Sequence, residues 1–381
     1  MDPTSATDST AALDFTAVTA ELARIVADIG RLLPTRLLDP VLAGVLIQAG
    51  PEGLALAGTD RERTVRLRCP TVTHAEGTVL VTARVLAETL RALDSATVRL
   101  VVEGSRLAVH TDRGRFALPL LDVGLHPGVA APPPLAGRAG RALAAALGAV
   151  AGAASRDDAL PLFTGVRVRA FGSTLRLVAT DRYRLAIAEL SYSPAEGAGE
   201  YDVLVPASLA AEISRQAAGA AELVLHADHD RVSFGWAGSE IGSALLAAPF
   251  PDEDRYLRTD ADATAEVRAG RLSAAVRRAG LYADGRGAIT VELAEGEIRV
   301  RGGSPELGEA EETIKAEVTG RLTQTYRARY LLDALKPFGD EPVRVSVRDG
   351  LRSTVFTWTE PTDFELRYLV MPILPPDASR R

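Results

Sequence analysis

Arginine is the residue whose type and spacing could do chemistry in this chain. On a helix, positions seven apart lie on one face two turns along, about 10 Å from each other. Arg24 and Arg31 keep that spacing, as do Arg84 and Arg91, Arg271 and Arg278, and Arg329 with Lys336. One such pair alone is an ordinary solvated helix face. Their recurrence makes a series of cationic faces whose natural ligand is a phosphate backbone, contacted without sequence readout. The middle of the chain fits least well, offering Arg138, Arg141 and Arg215 among alanines.

The spacings that catalysis needs are missing. No Gly-rich phosphate loop ends in Lys-Ser or Lys-Thr, since neither lysine, Lys315 or Lys336, follows a glycine. The five histidines form no HExxH, and HADHD at 226–230 reads as a solvated hairpin tip. Thr180, Asp181 and Arg182 supply a carboxylate and a guanidinium, which a turn cap explains more simply than acid-base work. The expectation is a non-enzymatic protein with no metal and no cofactor.

The elements that position these residues repeat three times. An alternating strand and polar turn occur as GLALAGTDRERTVRLR from Gly53, TLRLVATDRYRLAIAEL from Thr174, and a looser EIRVRGGSPELGEAEETIKAEV from Glu297. A short strand entering a helix comes after each: VLVTARVLAETLRAL, VLVPASLAAEISRQA and QTYRARYLLDALKPF. Aligning Val81, Val205 and Tyr326 gives offsets of 124 and 121 residues. A hairpin closes each unit, from Thr97, Ala221 and Val343, and a helix opens each, in FTAVTAELARIVADIGRLL, GRALAAALGAVAGAA and GRLSAAVRRAGLYA. Each repeat is therefore an α+β unit with two helices on antiparallel sheets. The divisions fall at 13–134, 135–258 and 259–374, with a disordered tail at 1–12 and a C-terminal extension at 375–381.

Composition bounds the rest. Lys+Arg 43 against Asp+Glu 50 leaves a net charge of −7 over 381 residues, which excludes a uniformly basic binder but not a segregated basic face. Only Lys315 and Lys336 are lysines, so the positive charge is nearly all arginine, as compositional bias in coding or as selection for bidentate contacts. The lone Cys69 fits a reducing compartment. The start has no signal-peptide pattern and no apolar run suffices to span a bilayer, so the expected location is cytoplasmic, without membrane contact.

LPLFTGVRVRAFGSTLRLVATDRYRLAIAEL at 160–190, the YLLDAL helix and the terminal YLVMPIL at 368–374 strongly resemble the bacterial DNA polymerase III beta subunit, the sliding clamp, over about 13–374. The resemblance implies the clamp fold, with three similar domains per subunit and two subunits closed head to tail. The helices would surround duplex DNA without sequence specificity, making the chain a processivity factor. Implied partners are the DNA polymerase III alpha subunit, the clamp loader and other proteins carrying a clamp-binding peptide, broadly QLxLF.

The resemblance also assigns residues. The peptide pocket falls on Phe163, Thr180, Arg182, Tyr183, Arg184, Leu185, Pro251, Arg255, Tyr256, Ser353, Leu369, Val370, Met371, Pro372 and Ile373. One dimer face falls on Arg113, Arg115, Phe116 and Leu118, and the other on Leu281 and Tyr282 with Glu306, Glu309, Glu311 and Glu312. Arg36 and Arg156 join Arg24, Arg31, Arg84, Arg91, Arg141, Arg215, Arg271, Arg278, Arg329 and Lys336 as DNA contacts. Departures from the family pattern are Leu374 for an arginine, Phe163 for a leucine, Val85 for a lysine, an acidic Asp157, and the tail PPDASRR. These raise a second reading, a specialised or duplicated clamp with an altered pocket, for example one insensitive to pocket-binding inhibitors.

Overall fold

The computed structural model describes residues 12–33, 39–157, 159–253 and 260–374. Among the described residues, six α-helices alternate with strands: α1 (Thr19–Leu32), α2 (Ala83–Ala92), α3 (Ala142–Ala151), α4 (Ala207–Gln216), α5 (Ala269–Gly280) and α6 (Ala328–Leu335). They pack as pairs, α1 on α2, α3 on α4 and α5 on α6, giving two helices to each repeat. In α1, Leu22, Ile25, Val26, Ile29 and Leu32 recur at three- and four-residue steps and are buried, while Arg24 and Arg31 stay exposed. No helix among the described residues is long and apolar enough to cross a membrane.

Each repeat opens on a strand rather than directly on a helix: Asp14–Val18, Leu135–Gly140 and Ala263–Arg268. FTAV was expected to belong to the helix. Phe15 and Ala17 are instead buried on one side of a strand paired to Thr97–Glu103, with the helix starting at Thr19. Alternation over these five residues wins over the helical period that begins at Thr19.

By its contacts the chain divides into two compact units, 1–134 with 225–244, and 135–224 with 245–381. This is coarser than the three repeats because strand pairing runs across repeat boundaries. In the first unit, Ser239–Ala244 of the middle repeat pairs with Arg63–Cys69 of the first. In the second, Arg184–Ser191 of the middle repeat pairs with Glu365–Val370 of the third.

The first unit also holds a five-stranded sheet, ordered Val72–Ala75, Asp14–Val18, Thr97–Glu103, Arg106–His110 and Arg115–Pro119. The second unit has a nine-stranded sheet running from Tyr201–Pro206 to Glu317–Thr319, and a four-stranded one ordered Gly308–Lys315, Glu297–Ser304, Ala288–Ala294 and Leu322–Arg327. Among the described residues, Arg115–Pro119 and Gly308–Lys315 thus each end a sheet with one edge unpaired in the single chain.

Candidate functional site

The TDR motif of the first two repeats makes the same turn twice. The Thr180 hydroxyl donates to the Arg184 carbonyl (2.5 Å) and accepts from the Arg182 N–H (3.1 Å). Asp181 Oδ1 accepts the Tyr183 and Arg184 N–H groups at 3.0 and 2.8 Å. Thr59, Asp60 and Arg63 repeat this set, and Arg61 and Arg182 both take a left-handed backbone, φ 80° and 77°. The side-chain bonds hold a conformation that arginine otherwise disfavours. The turn-cap reading of this carboxylate is the one the geometry supports.

In the second unit that turn forms one wall of a cleft of ≈370 Å³. Its apolar bed is Val178, Leu185, Ile187 and Leu369, with Phe250 and Val355 packed against it. Ten of the fifteen expected residues line the cleft: Phe163, Thr180, Arg182, Tyr183, Arg184, Leu185, Pro251, Ser353, Leu369 and Met371. Val370 does not, because side chains alternate along its strand and it is fully buried on the other face. Pro372 is buried, and Ile373 donates its N–H to the Thr325 carbonyl at 2.8 Å, bridging to a neighbouring sheet. Neither lines the cleft. Arg255 and Tyr256 lie outside the described residues.

Phe250, Asp252 and Glu253 also line the cleft and were not anticipated. PFPDED reads as a linker, and nothing in it separates a buried glutamate from a solvated one.

Arg184 organises the turn side. It is 8% exposed and donates to Asp181 Oδ2 from Nε (3.1 Å) and Nη2 (2.9 Å), and to Asp333 Oδ2 from Nη1 (2.5 Å). Its guanidinium lies 4.7 Å from the Tyr330 ring centre, and Tyr330 stacks on Tyr183 at 5.8 Å. Tyr183 in turn accepts the Met371 N–H on its carbonyl at 2.8 Å, joining the turn to the terminal segment. Arg182, exposed, lies 5.6 Å over Phe163.

The two expected dimer faces are each mostly exposed. Phe116 is 44% exposed beside the exposed Arg113 and Arg115, whereas Leu118 is 3% exposed and packs inward, so it belongs to the core rather than to a surface. Leu281 is 70% and Tyr282 38% exposed at the end of α5; Glu306, Glu309 and Glu311 are exposed and Glu312 half-buried. Arg115 is tied within its own sheet to Glu103, whose carboxyl is held below the usual range by hydrogen bonds from Arg115 and then His110. Arg278 and Glu312, expected to serve DNA and the interface separately, bind each other through two hydrogen bonds, one of 2.6 Å, and this holds Glu312 below the usual carboxylate range.

The remaining cations divide by partner. Arg24 (3.2 Å) and Arg31 both bind Asp28, which is fully buried between them. Arg84 faces Glu88 at 3.9 Å, Arg215 pairs with Glu212, and Arg329 donates to the Tyr330 hydroxyl at 2.9 Å. Arg91, Arg141, Arg156, Arg271 and Lys336 are exposed without a carboxylate partner among the described residues. Arg36 lies outside the described residues. HADHD forms a hairpin turn in which Asp228 caps the N–H groups of Asp230 and Arg231 at 2.8 and 2.7 Å.

Three α+β repeats in tandem, with paired helices backed by antiparallel sheets, define the class of DNA clamps. The DNA polymerase III beta subunit families match in order: the N-terminal domain at 13–130, the central domain at 139–252 and the C-terminal domain at 254–374. The chain belongs to the bacterial DNA polymerase III beta subunit, or beta sliding clamp, family. It is 30% identical to the beta sliding clamp of Streptomyces coelicolor, over 92% of this chain and 96% of that protein. It is 27% identical to the beta sliding clamp homolog GriR of Streptomyces muensis, over 92% of this chain and 96% of that one. Among solved structures, the Pseudomonas aeruginosa sliding clamp bound to griselimycin superposes with a TM-score of 0.83 at 26% identity, covering 96% of this chain and 100% of that one.

Proposed function

We propose that two copies of this chain close head to tail into a ring around duplex DNA and tether a polymerase to it, without catalysing a reaction. The observation that carries the reading is the run of three clamp-domain matches in order along nearly the whole chain. The division into domains at 13–134, 135–258 and 259–374 is part of it.

Closure needs two different complementary surfaces on one subunit, because a rotation that closes gives a ring rather than a filament. The free edges of Arg115–Pro119 and Gly308–Lys315 supply them, each with unpaired backbone groups beside exposed apolar side chains. Pairing them across subunits satisfies both edges and sets an arginine-bearing strand against a glutamate-bearing one.

Partners enter at the Phe163–Met371 cleft. Its apolar bed takes the leucine and aromatic anchors of a QLxLF-type peptide, while Arg182 at the rim orients the peptide's polar groups. The alpha subunit and the clamp loader share this cleft in our reading, and the setting is the cytoplasm. The exposed cations contact phosphate weakly, so the ring slides and the polymerase stays at high effective concentration.

The test is synthesis on a primed circular template with clamp loader and polymerase. Adding this chain should lengthen products from tens of nucleotides to thousands at a single encounter. Products of unchanged length would refute the processivity role. A specific observation favours a second reading, a clamp paralogue with changed partner preference: Leu374 is 55% exposed where an arginine is expected. Lengthened products with an isolated QLxLF peptide failing to compete would select that reading.

A further inference from the structure

The cleft's second wall is held by a charge network that the peptide reading does not use. Leu246 donates its N–H to the Leu204 carbonyl at 2.8 Å, and from there the chain runs through Pro249, Phe250 and Pro251 to Glu253. Two prolines fix φ on either side of Phe250, so the wall moves as a stiff piece whose position depends on its ends. One end is the Leu246 bond; the other is Glu253.

Glu253 is 1% exposed, and its carboxylate meets three guanidinium groups. Oε2 accepts from Arg167 at 2.7 Å, while Oε1 faces Arg169 at 3.4 Å and Arg176 at 3.6 Å. These arginines stand on the neighbouring strands Gly165–Phe171 and Thr174–Thr180, where Arg169 is directly paired with Arg176. Asp202 binds Arg167 bidentately at 2.6 and 2.8 Å, and Glu189 binds Arg176 at 2.6 Å. Among the described residues, the bonds seen here join three cations to three carboxylates, and Glu253 is the one that ties the cleft wall to these strands. A buried carboxylate is tolerated only when its hydrogen bonds and charge are met, so Glu253 confines the wall to one position.

We propose that Glu253 is a positioning residue for the peptide cleft, an ionic latch that seats the Phe250–Glu253 wall on the sheet and keeps the cleft open before a peptide arrives. This rests on the reading of the cleft as the peptide site. A preset cleft binds at the rate set by encounter, whereas a wall that is seated only part of the time lowers the competent fraction, and with it the association rate.

The test uses the full chain. Cys69 is buried and its thiol is pushed up to about 12, mainly by that burial, so a nitroxide attached in Asp252→Cys labels the wall selectively. Adding Glu253→Gln should convert its spectrum from a restricted to a mobile line shape. In the unlabelled protein, Glu253→Gln should lower the association rate of a QLxLF peptide at least fivefold and leave the dissociation rate within twofold. Asp202→Asn, which removes a carboxylate from the same network without touching the wall, should change neither. An unchanged spectrum, a loss confined to dissociation, or an equal effect of Asp202→Asn would overturn the latch. Failure of the unmodified chain to bind the peptide would overturn the cleft reading instead, with the spectrum still judging the wall.

Discussion

Leu281→Asp is expected to leave single subunits at concentrations where, on the proposed head-to-tail closure, the unmodified chain pairs. Leu281 is 70% exposed in the subunit, next to Tyr282 at 38%, at the end of α5. Such exposure is unfavourable for an apolar pair unless a partner covers it. A central apolar anchor in an interface is worth about 2–4 kcal/mol on truncation. A closed ring of two subunits holds two such interfaces, so the loss is incurred twice and the dimer dissociation constant rises by at least about 1000-fold, before the added cost of burying a carboxylate. The subunit itself should keep its thermal midpoint, since the position is solvated in the free chain. Sedimentation velocity reads the outcome. A variant that still sediments as a dimer at low micromolar concentration would remove Leu281 from the interface.

Arg184→Met should cost both stability and peptide binding. The change keeps most of the side chain's length but leaves Asp181 and Asp333 facing each other's charge without the guanidinium between them. Removing one partner of a buried ion pair costs about 3–5 kcal/mol. Here the lower end applies, because Asp333 is half-exposed and Asp181 keeps two backbone donors. The turn carrying Thr180, Arg182, Tyr183 and Leu185 loosens with it, so peptide affinity should fall by more than about 30-fold, the equivalent of roughly 2 kcal/mol. Adding Asp333→Asn relieves the surplus charge and should restore part of the stability, a coupling that a double-mutant cycle isolates. Equal affinity in Arg184→Met and the parent chain would show that the turn does not shape the site.

Much of the fold was legible in the sequence because local rules decide it. The shared TDR of the first two repeats does make one turn with one set of side-chain bonds, as Thr59 and Thr180 show. Most of the pocket came from the resemblance. What escaped was set by strand parity, as at Val370, by local packing or by distance. Phe116 and Leu118 share the strand Arg115–Pro119, yet one is 44% exposed and the other 3%, a difference fixed by the local packing of an edge strand. Glu253 gains its meaning from arginines more than 75 residues earlier in the chain, and Arg278 from a glutamate 34 residues later. Charge alone cannot reveal which of these are spent on each other. The opening strand of the first repeat was hidden by the strong helical period of α1 directly after it.

The central claim of the proposed function is topological, that the protein stays on DNA by enclosure rather than by contact strength. The direct test loads the protein with a clamp loader onto nicked circular duplex DNA and then cuts the circle with a single-site nuclease. Encirclement predicts retention on the intact circle through gel filtration at moderate salt, and loss from the DNA within minutes of linearisation. Retention on the linear product equal to that on the circle would mean that contacts hold the protein, and would contradict the ring.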